Sequence, residues 1–169
     1  MSDCGIRSAV VTVNDPAELL VAIRAIAEKY STHIILFNQD RMAGRRHAEA
    51  ALAHAARSCR EQRMIARTFE MEALLYAAGS RQCTVGRGFG IHEGENHCYV
   101  CLCPEKPEVW DALDAHMTMI PVVEEMISSK KRAQLMKLFS ITESELAMIG
   151  EERLNELVLE RVALLEVYR

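Results

Sequence analysis

Apolar residues along this chain keep two rhythms, alternation in a few short runs and three-to-four-residue spacing over most of the rest. Residues 6–13 (IRSAVVTV) are compact and β-branched and predict a strand. Asn14-Asp15-Pro16 reads as a helix start, and Leu19, Leu20, Ile23 and Ile26 give that helix a buried stripe up to Tyr30. His33–Asn38 (HIILFN) is apolar throughout, which predicts a central strand. Gly44 leads into an Ala-rich helix over 45–59.

The run 69–82 (FEMEALLYAAGSRQ) is the most telling. Leu74, Leu75 and Ala78 repeat as a buried helix face does, and Gly79 stands where a helix needs positive φ to stop. Arg81 and Gln82 follow at once, with side chains suited to an anion or a base edge. Gly86, Gly88, Gly90 and Gly94 then predict a flexible stretch. Residues 96–103 (NHCYVCLC) predict a third strand stopped by Pro104 and Pro107, and 107–115 a helix; 119–123 is ambiguous between strand and loop.

Helices fill the last third. Ser128 or Ser129 caps one reaching about Phe139, and Thr142 with Glu145 forms a capping box for a short one ending at Gly150. From Glu151 the last helix carries Leu154, Val158, Val162 and Leu165 on one face, flanked by Leu157 and Leu164. The expectation is a single α/β (α+β) domain over residues 1–169, strands early and helices late.

With 169 residues, half of them apolar, the chain can build an ordinary core. No apolar run reaches the roughly eighteen residues of a membrane span, and no leader is visible, so a cytoplasmic protein with reduced thiols is expected despite six cysteines. The net charge of −4 hides a division: from Arg41 to Arg67 seven Arg face only Glu49 and Glu61, a local +5. A polyanion responds to that local field.

Candidate chemistry is sparse. Cys98, Cys101 and Cys103 beside His92 and His97 invite a metal-dependent enzyme, but strand alternation sends Cys98 to one face and the other two thiols to the opposite one. His47 and His54 lie seven apart, not four as in a zinc-protease helix. The glycines fit neither nucleotide fingerprint, and no nucleophile elbow is present. Arg46, Arg57 and Arg60 fall near one helical face, continued by Arg63 and Arg67, and guanidinium forks suit phosphate oxygens. The last helix, apolar on several sides, is either central in its fold or shared with a partner.

Three segments together carry a resemblance: 47–57 (HAEAALAHAAR), 71–82 (MEALLYAAGSRQ) with Gly90-Ile91, and 157–166 (LVLERVALLE). In them the chain resembles the small kinase-binding subunit of the KEOPS (EKC) complex, the PRPK-binding-protein (TPRKB) family, of archaeal type. The resemblance implies a small mixed or antiparallel sheet covered by helices, no catalysis and no cofactor. It implies a partner in the complex's atypical kinase/ATPase, which the subunit modulates, and indirect contact with other KEOPS subunits. It also implies help in capturing tRNA by its 3′ CCA end for N6-threonylcarbamoyladenosine modification. Carried onto matched positions and the basic helix, the tRNA-facing candidates are His47, Glu49, Arg57, Arg60, Tyr76, Gly79, Arg81 and Gln82. The kinase-facing candidates are Ile141, Leu146, Ile149, Leu157, Val158, Val162 and Leu165. After Arg81-Gln82 the family pattern continues apolar; here the glycines of 83–88 predict a less stable helix. The alternatives are the metal-dependent enzyme and a plain RNA-binding domain.

Overall fold

The computed structural model describes residues 3–122 and 126–168. The described residues form an α+β fold of eight α-helices and one four-stranded antiparallel sheet, and no helix among them is long and apolar enough to cross a membrane. The backbone divides into two units, Met1–Gln39 with Gly90–Val123, and Asp40–Phe89 with Glu124–Arg169.

The first unit holds the sheet. Strands β1 (Gly5–Val13), β2 (His33–Asn38), β3 (Gly94–Cys103) and β4 (Thr118–Ile120) lie in the order β2-β3-β1-β4. Helix α1 (Pro16–Lys29) starts where the sequence says: the Asp15 carboxylate accepts from the backbone of Ala17 and Glu18, and Pro16 needs no such partner. Helix α5 spans Pro107–Leu113. Ile23 of α1 and Val109, Trp110 and Leu113 of α5 close over one sheet face made by Ala9, Val11, Val13, Ile34, Leu36, Cys98, Val100 and Leu102.

Two expectations are corrected in this unit. His33–Asn38 is an edge strand, not a central one, although five of its six residues are buried. An apolar strand reports burial of both faces, not the number of hydrogen-bonded neighbours. The thiols are not all reduced: Cys4 and Cys103 form a disulfide, with Cα atoms 4.4 Å apart. The β1–β3 register pairs Gly5 with Leu102, so Cys4 falls opposite Cys103 despite a separation of 99 residues. From the ambiguous run 119–123, Met119 and Ile120 lie in β4, while Val123 is outside the described residues.

The second unit is helical: α2 (Arg45–Arg60), α3 (Phe69–Ala78), α4 (Cys83–Arg87), α6 (Ser129–Leu138), α7 (Glu143–Ile149) and α8 (Leu154–Tyr168). Small residues set its spacing. Ala48, Ala51 and Ala55 are fully buried along α2, which packs on α3. The stretch after α3 that the glycines predict as flexible is helical over α4. At Gly86 an added Cβ would lie 3.1 Å from Leu75 Cδ2, so this glycine lets α4 sit tightly on α3. Ser128 and Thr142 cap α6 and α7, accepting from the backbone of Lys131 and Glu145.

Candidate functional site

The tip of α3 is built by its own sequence. Thr68 caps the start, its hydroxyl accepting from Met71 N–H at 3.1 Å. At the end Gly79 takes φ 60, ψ 33; its N–H bonds the Tyr76 carbonyl and the Ser80 N–H bonds the Leu75 carbonyl, each at 3.1 Å. This Schellman pairing satisfies the last carbonyls. A Cβ at Gly79 would also stand 3.3 Å from the Arg161 carbonyl of α8. Gly79→Ala is therefore expected to lower stability by about 1–2 kcal/mol, from left-handed backbone strain and crowding on α8. Urea unfolding checks this, and an unchanged midpoint would mean the turn relaxes without loss.

Beside the tip lies a cleft of about 340 Å³, walled by Gly79, Arg81, Phe139, Arg161, Leu164 and Tyr168 among others. Its two guanidiniums differ in commitment. Arg161 donates to the Phe139 carbonyl at 3.1 Å and to both Glu145 oxygens at 2.7 and 2.9 Å, tying α8 to the end of α6 and to α7. That hydrogen bond is the main reason the Glu145 carboxyl is held below its usual range, although partial desolvation opposes it. Arg81 is exposed, makes one long bond of 3.4 Å to the Tyr168 carbonyl, and pairs with no side-chain carboxylate among the described residues. It is the cation of this cleft best placed to meet an anion.

The remaining tRNA-facing candidates separate into surface and interior. Glu49, Arg57, Arg60 and Gln82 are exposed; Arg57 lies 3.4 Å from Glu166, and Glu49 pairs with Arg45 at 3.0 Å. His47 and Tyr76 are both buried, and in this fold neither ring faces solvent. Tyr76 stacks on His54 at 5.2 Å between centroids. His47 accepts from Ala43 N–H through Nδ1 at 3.0 Å and donates from Nε2 to the Ala77 carbonyl at 2.8 Å. Burial, the largest cause, and the nearby Lys131 charge lower its pKa to about 4, against the raising effect of the Ala77 bond. It is a neutral structural histidine.

Of the kinase-facing candidates, Ile141, Leu146, Leu157, Val158, Val162 and Leu165 are buried in this chain's own fold, and Ile149 is half-buried. The large exposed apolar side chains of these helices are Met148, Val167 and Tyr168. The first six are interior residues of this chain, since the apolar positions of α8, together with Ile141 and Leu146, are taken up by its own packing. The proposed metal cluster is also dispersed. Cys103 is in the disulfide, and Cys98 faces the core with its thiol pushed by burial up to about 12. Cys101 is buried on the opposite sheet face. His92 bonds the Glu93 carbonyl and His97 bonds Glu95, and no group of three metal ligands occurs among the described residues.

Sequence reasoning missed Phe139, Leu164, Arg161 and Tyr168 as cleft walls. Only the aromatic character of Phe139 and Tyr168 hinted at it, since they lie far from Gly79 in sequence.

A cleft walled by a helix tip, one available guanidinium and an exposed tyrosine residue equips a binding protein. The chain belongs to the family described as kinase binding protein CGI-121, which matches residues 11–166. It is a kinase-binding protein with a regulatory role. No curated protein matches it.

Proposed function

We propose that this chain is the non-catalytic regulatory subunit of a KEOPS-type complex, acting in the cytoplasm. In this reading it binds and modulates the atypical kinase/ATPase and helps recruit tRNA for N6-threonylcarbamoyladenosine modification. The observation that carries the RNA half is the meeting of the Gly79 tip, Arg81 and the exposed Tyr168 at one cleft. Single-stranded RNA ends are taken by stacking on aromatic rings and by cations on phosphates. The tRNA 3′ CCA end fits that chemistry, with Tyr168 in the stacking role that the sequence suggests for Tyr76. Arg57 and Arg60 of α2 then extend the surface toward the tRNA backbone, and Gln82 adds a hydrogen-bonding group at the tip.

The kinase half rests on the family. The surface that suits it is α7 and the turn after it, where Met148 and Ile149 offer the apolar contact that the buried candidates cannot. The buried residues act by holding α7 and α8 in place.

The test is co-expression with the cognate atypical kinase, followed by tRNA titration of the complex. A stable pair of one copy each is expected. Reversing Arg57, Arg60 and Arg81 to Glu should weaken tRNA binding at least tenfold. It should also flatten the salt dependence, by about 0.7–0.9 in slope for every phosphate that no longer meets a cation. Unchanged affinity and slope would remove RNA from this surface, and failure of two folded chains to associate would remove the kinase partner.

A further inference from the structure

Two arginines converge on the last turn of α8. Arg57 of α2 places Nη1 3.4 Å from Glu166 Oε2, and His54, one turn earlier, places Nδ1 3.1 Å from Glu166 Oε1. Two residues on, the Tyr168 carbonyl accepts from Arg81. The carboxyl end of a helix also carries partial negative charge. The turn thus supplies a carboxylate and a carbonyl to the side chains the RNA reading assigns to phosphates.

The sheltering is unequal. The Glu166 side chain is 19% exposed, whereas Arg57 is 52% exposed. The carboxylate is tucked between α2 and α8 while much of the guanidinium still faces solvent. An approaching phosphate can therefore reach Arg57 from outside before the carboxylate has left it. The Arg57–Glu166 bond is also long and single, well short of the two-bond fork that makes Arg–carboxylate pairs strong. That combination leaves the Arg57 guanidinium open to a second anion, where a doubly bonded arginine is committed to one partner. The contrast is Arg161, whose doubly bonded Glu145 holds it in place.

We propose that Glu166 is an internal competitor for the anion this surface takes. In the unliganded protein its carboxylate lies against Arg57 and His54, and a phosphate that takes Arg57 competes with it for the guanidinium. A mono-anion of similar charge has no advantage over Glu166, whereas a polyanion that also engages Arg81 and Arg60 does. Glu166 is thereby a specificity-determining residue that favours polyphosphate chains over small anions. The identity of the natural ligand rests on the proposed RNA role; the competition itself is a matter of phosphate chemistry.

Two probes separate these levels: inorganic tripolyphosphate, and a tRNA with an intact CCA end. The variants are Glu166→Gln, Arg57→Gln and the double substitution, with Glu166→Met in reserve should the amide disturb folding. Glu166→Gln is expected to bind tripolyphosphate about two- to fivefold tighter, the strength of a part-exposed ion pair. That gain should vanish in the double variant, and tRNA binding should gain by a similar factor with a steeper salt slope. If tRNA binds the unaltered protein but Glu166→Gln binds both probes no tighter while melting normally, the competitor role is overturned and the RNA reading stands. If tripolyphosphate binding tightens while tRNA binds neither protein, the competitor role stands and the RNA reading falls. Binding of neither probe to either protein overturns both.

Discussion

Replacing Glu72 with Ala is expected to cost about 3–5 kcal/mol of folding stability, a loss large enough to leave a typical domain partly unfolded. Glu72 lies in the first turn of α3 and is fully buried. Its carboxylate accepts from the Ser58 hydroxyl at 2.6 Å, from Ile65 N–H at 2.9 Å and from Ala66 N–H at 2.8 Å. A single side chain thus ties the end of α2, the connection 61–68 and the start of α3. The two backbone donors belong to an irregular segment with no helix or sheet to satisfy them, so the carboxylate stands in for the missing ladder. The position at a helix N-terminus also favours negative charge. Truncation removes the acceptor shared by the Ile65 and Ala66 N–H groups and the Ser58 hydroxyl, and each backbone donor left unmet costs roughly 1–3 kcal/mol when sheltered from water, though such terms do not add fully. Glu72→Gln should lose less, since one oxygen remains to accept. Urea unfolding at neutral pH decides the matter: a shifted midpoint with an unchanged slope is expected. A loss below about 1 kcal/mol would mean that water replaces the carboxylate.

What could be read from the sequence was what local chemistry decides. Asp15, Thr142 and Gly79 begin or end helices by bonds made within a few residues, and those boundaries were legible. The strands at β1 and β3 followed from β-branched or alternating runs. What was not legible depends on partners far along the chain. Along the Ala-rich helix α2, Arg46, Glu49, Arg57 and Arg60 mark the outward side, but a histidine beside that side reads as surface, and the fold uses His47 inside. The burial of Tyr76 is not legible either, since α3 is apolar on nearly every side and its exposed sector is decided by the helices packed on it. The edge position of β2, the pairing of Cys4 with Cys103 and the short helix α4 come from register and close approach, which no single segment encodes. Half the cleft was in view at Gly79 and Arg81. Its other half, Phe139, Arg161 and Tyr168, arrives only when α6 and α8 fold against α3.

The buried imidazole carries the second large consequence. His47 has a pKa of about 4 in the folded chain against 6.5 for an unperturbed histidine. Between those values the unfolded chain binds more protons than the folded one, so stability rises with pH across the window. The contribution is complete above about pH 6.5 and is lost as the pH falls toward 4, amounting to ~3 kcal/mol over the interval. Geometry explains why the proton is refused. Nε2–H already serves the Ala77 carbonyl, and Nδ1 is occupied as acceptor for Ala43 N–H, so a proton on Nδ1 would set two donors against each other. The T-shaped contacts with Phe89 and Phe139 surround the ring with apolar edges that cannot solvate the charge. The ring thus locks the chain before α2 to the end of α3, one turn from the Arg81 cleft, and acidification should loosen the cleft's floor before the whole unit melts. Stability measured by urea at pH 7, 5.5 and 4 should fall steeply, and Glu145, whose carboxyl is held low by Arg161, adds its loss only below its ordinary value of 4.5. In His47→Gln the slope between pH 6.5 and 4.5 should flatten, at the cost of lower stability at pH 7. Equal slopes in the two proteins would show that the imidazole takes its proton in the folded state, and that the Ala43 bond yields to admit it.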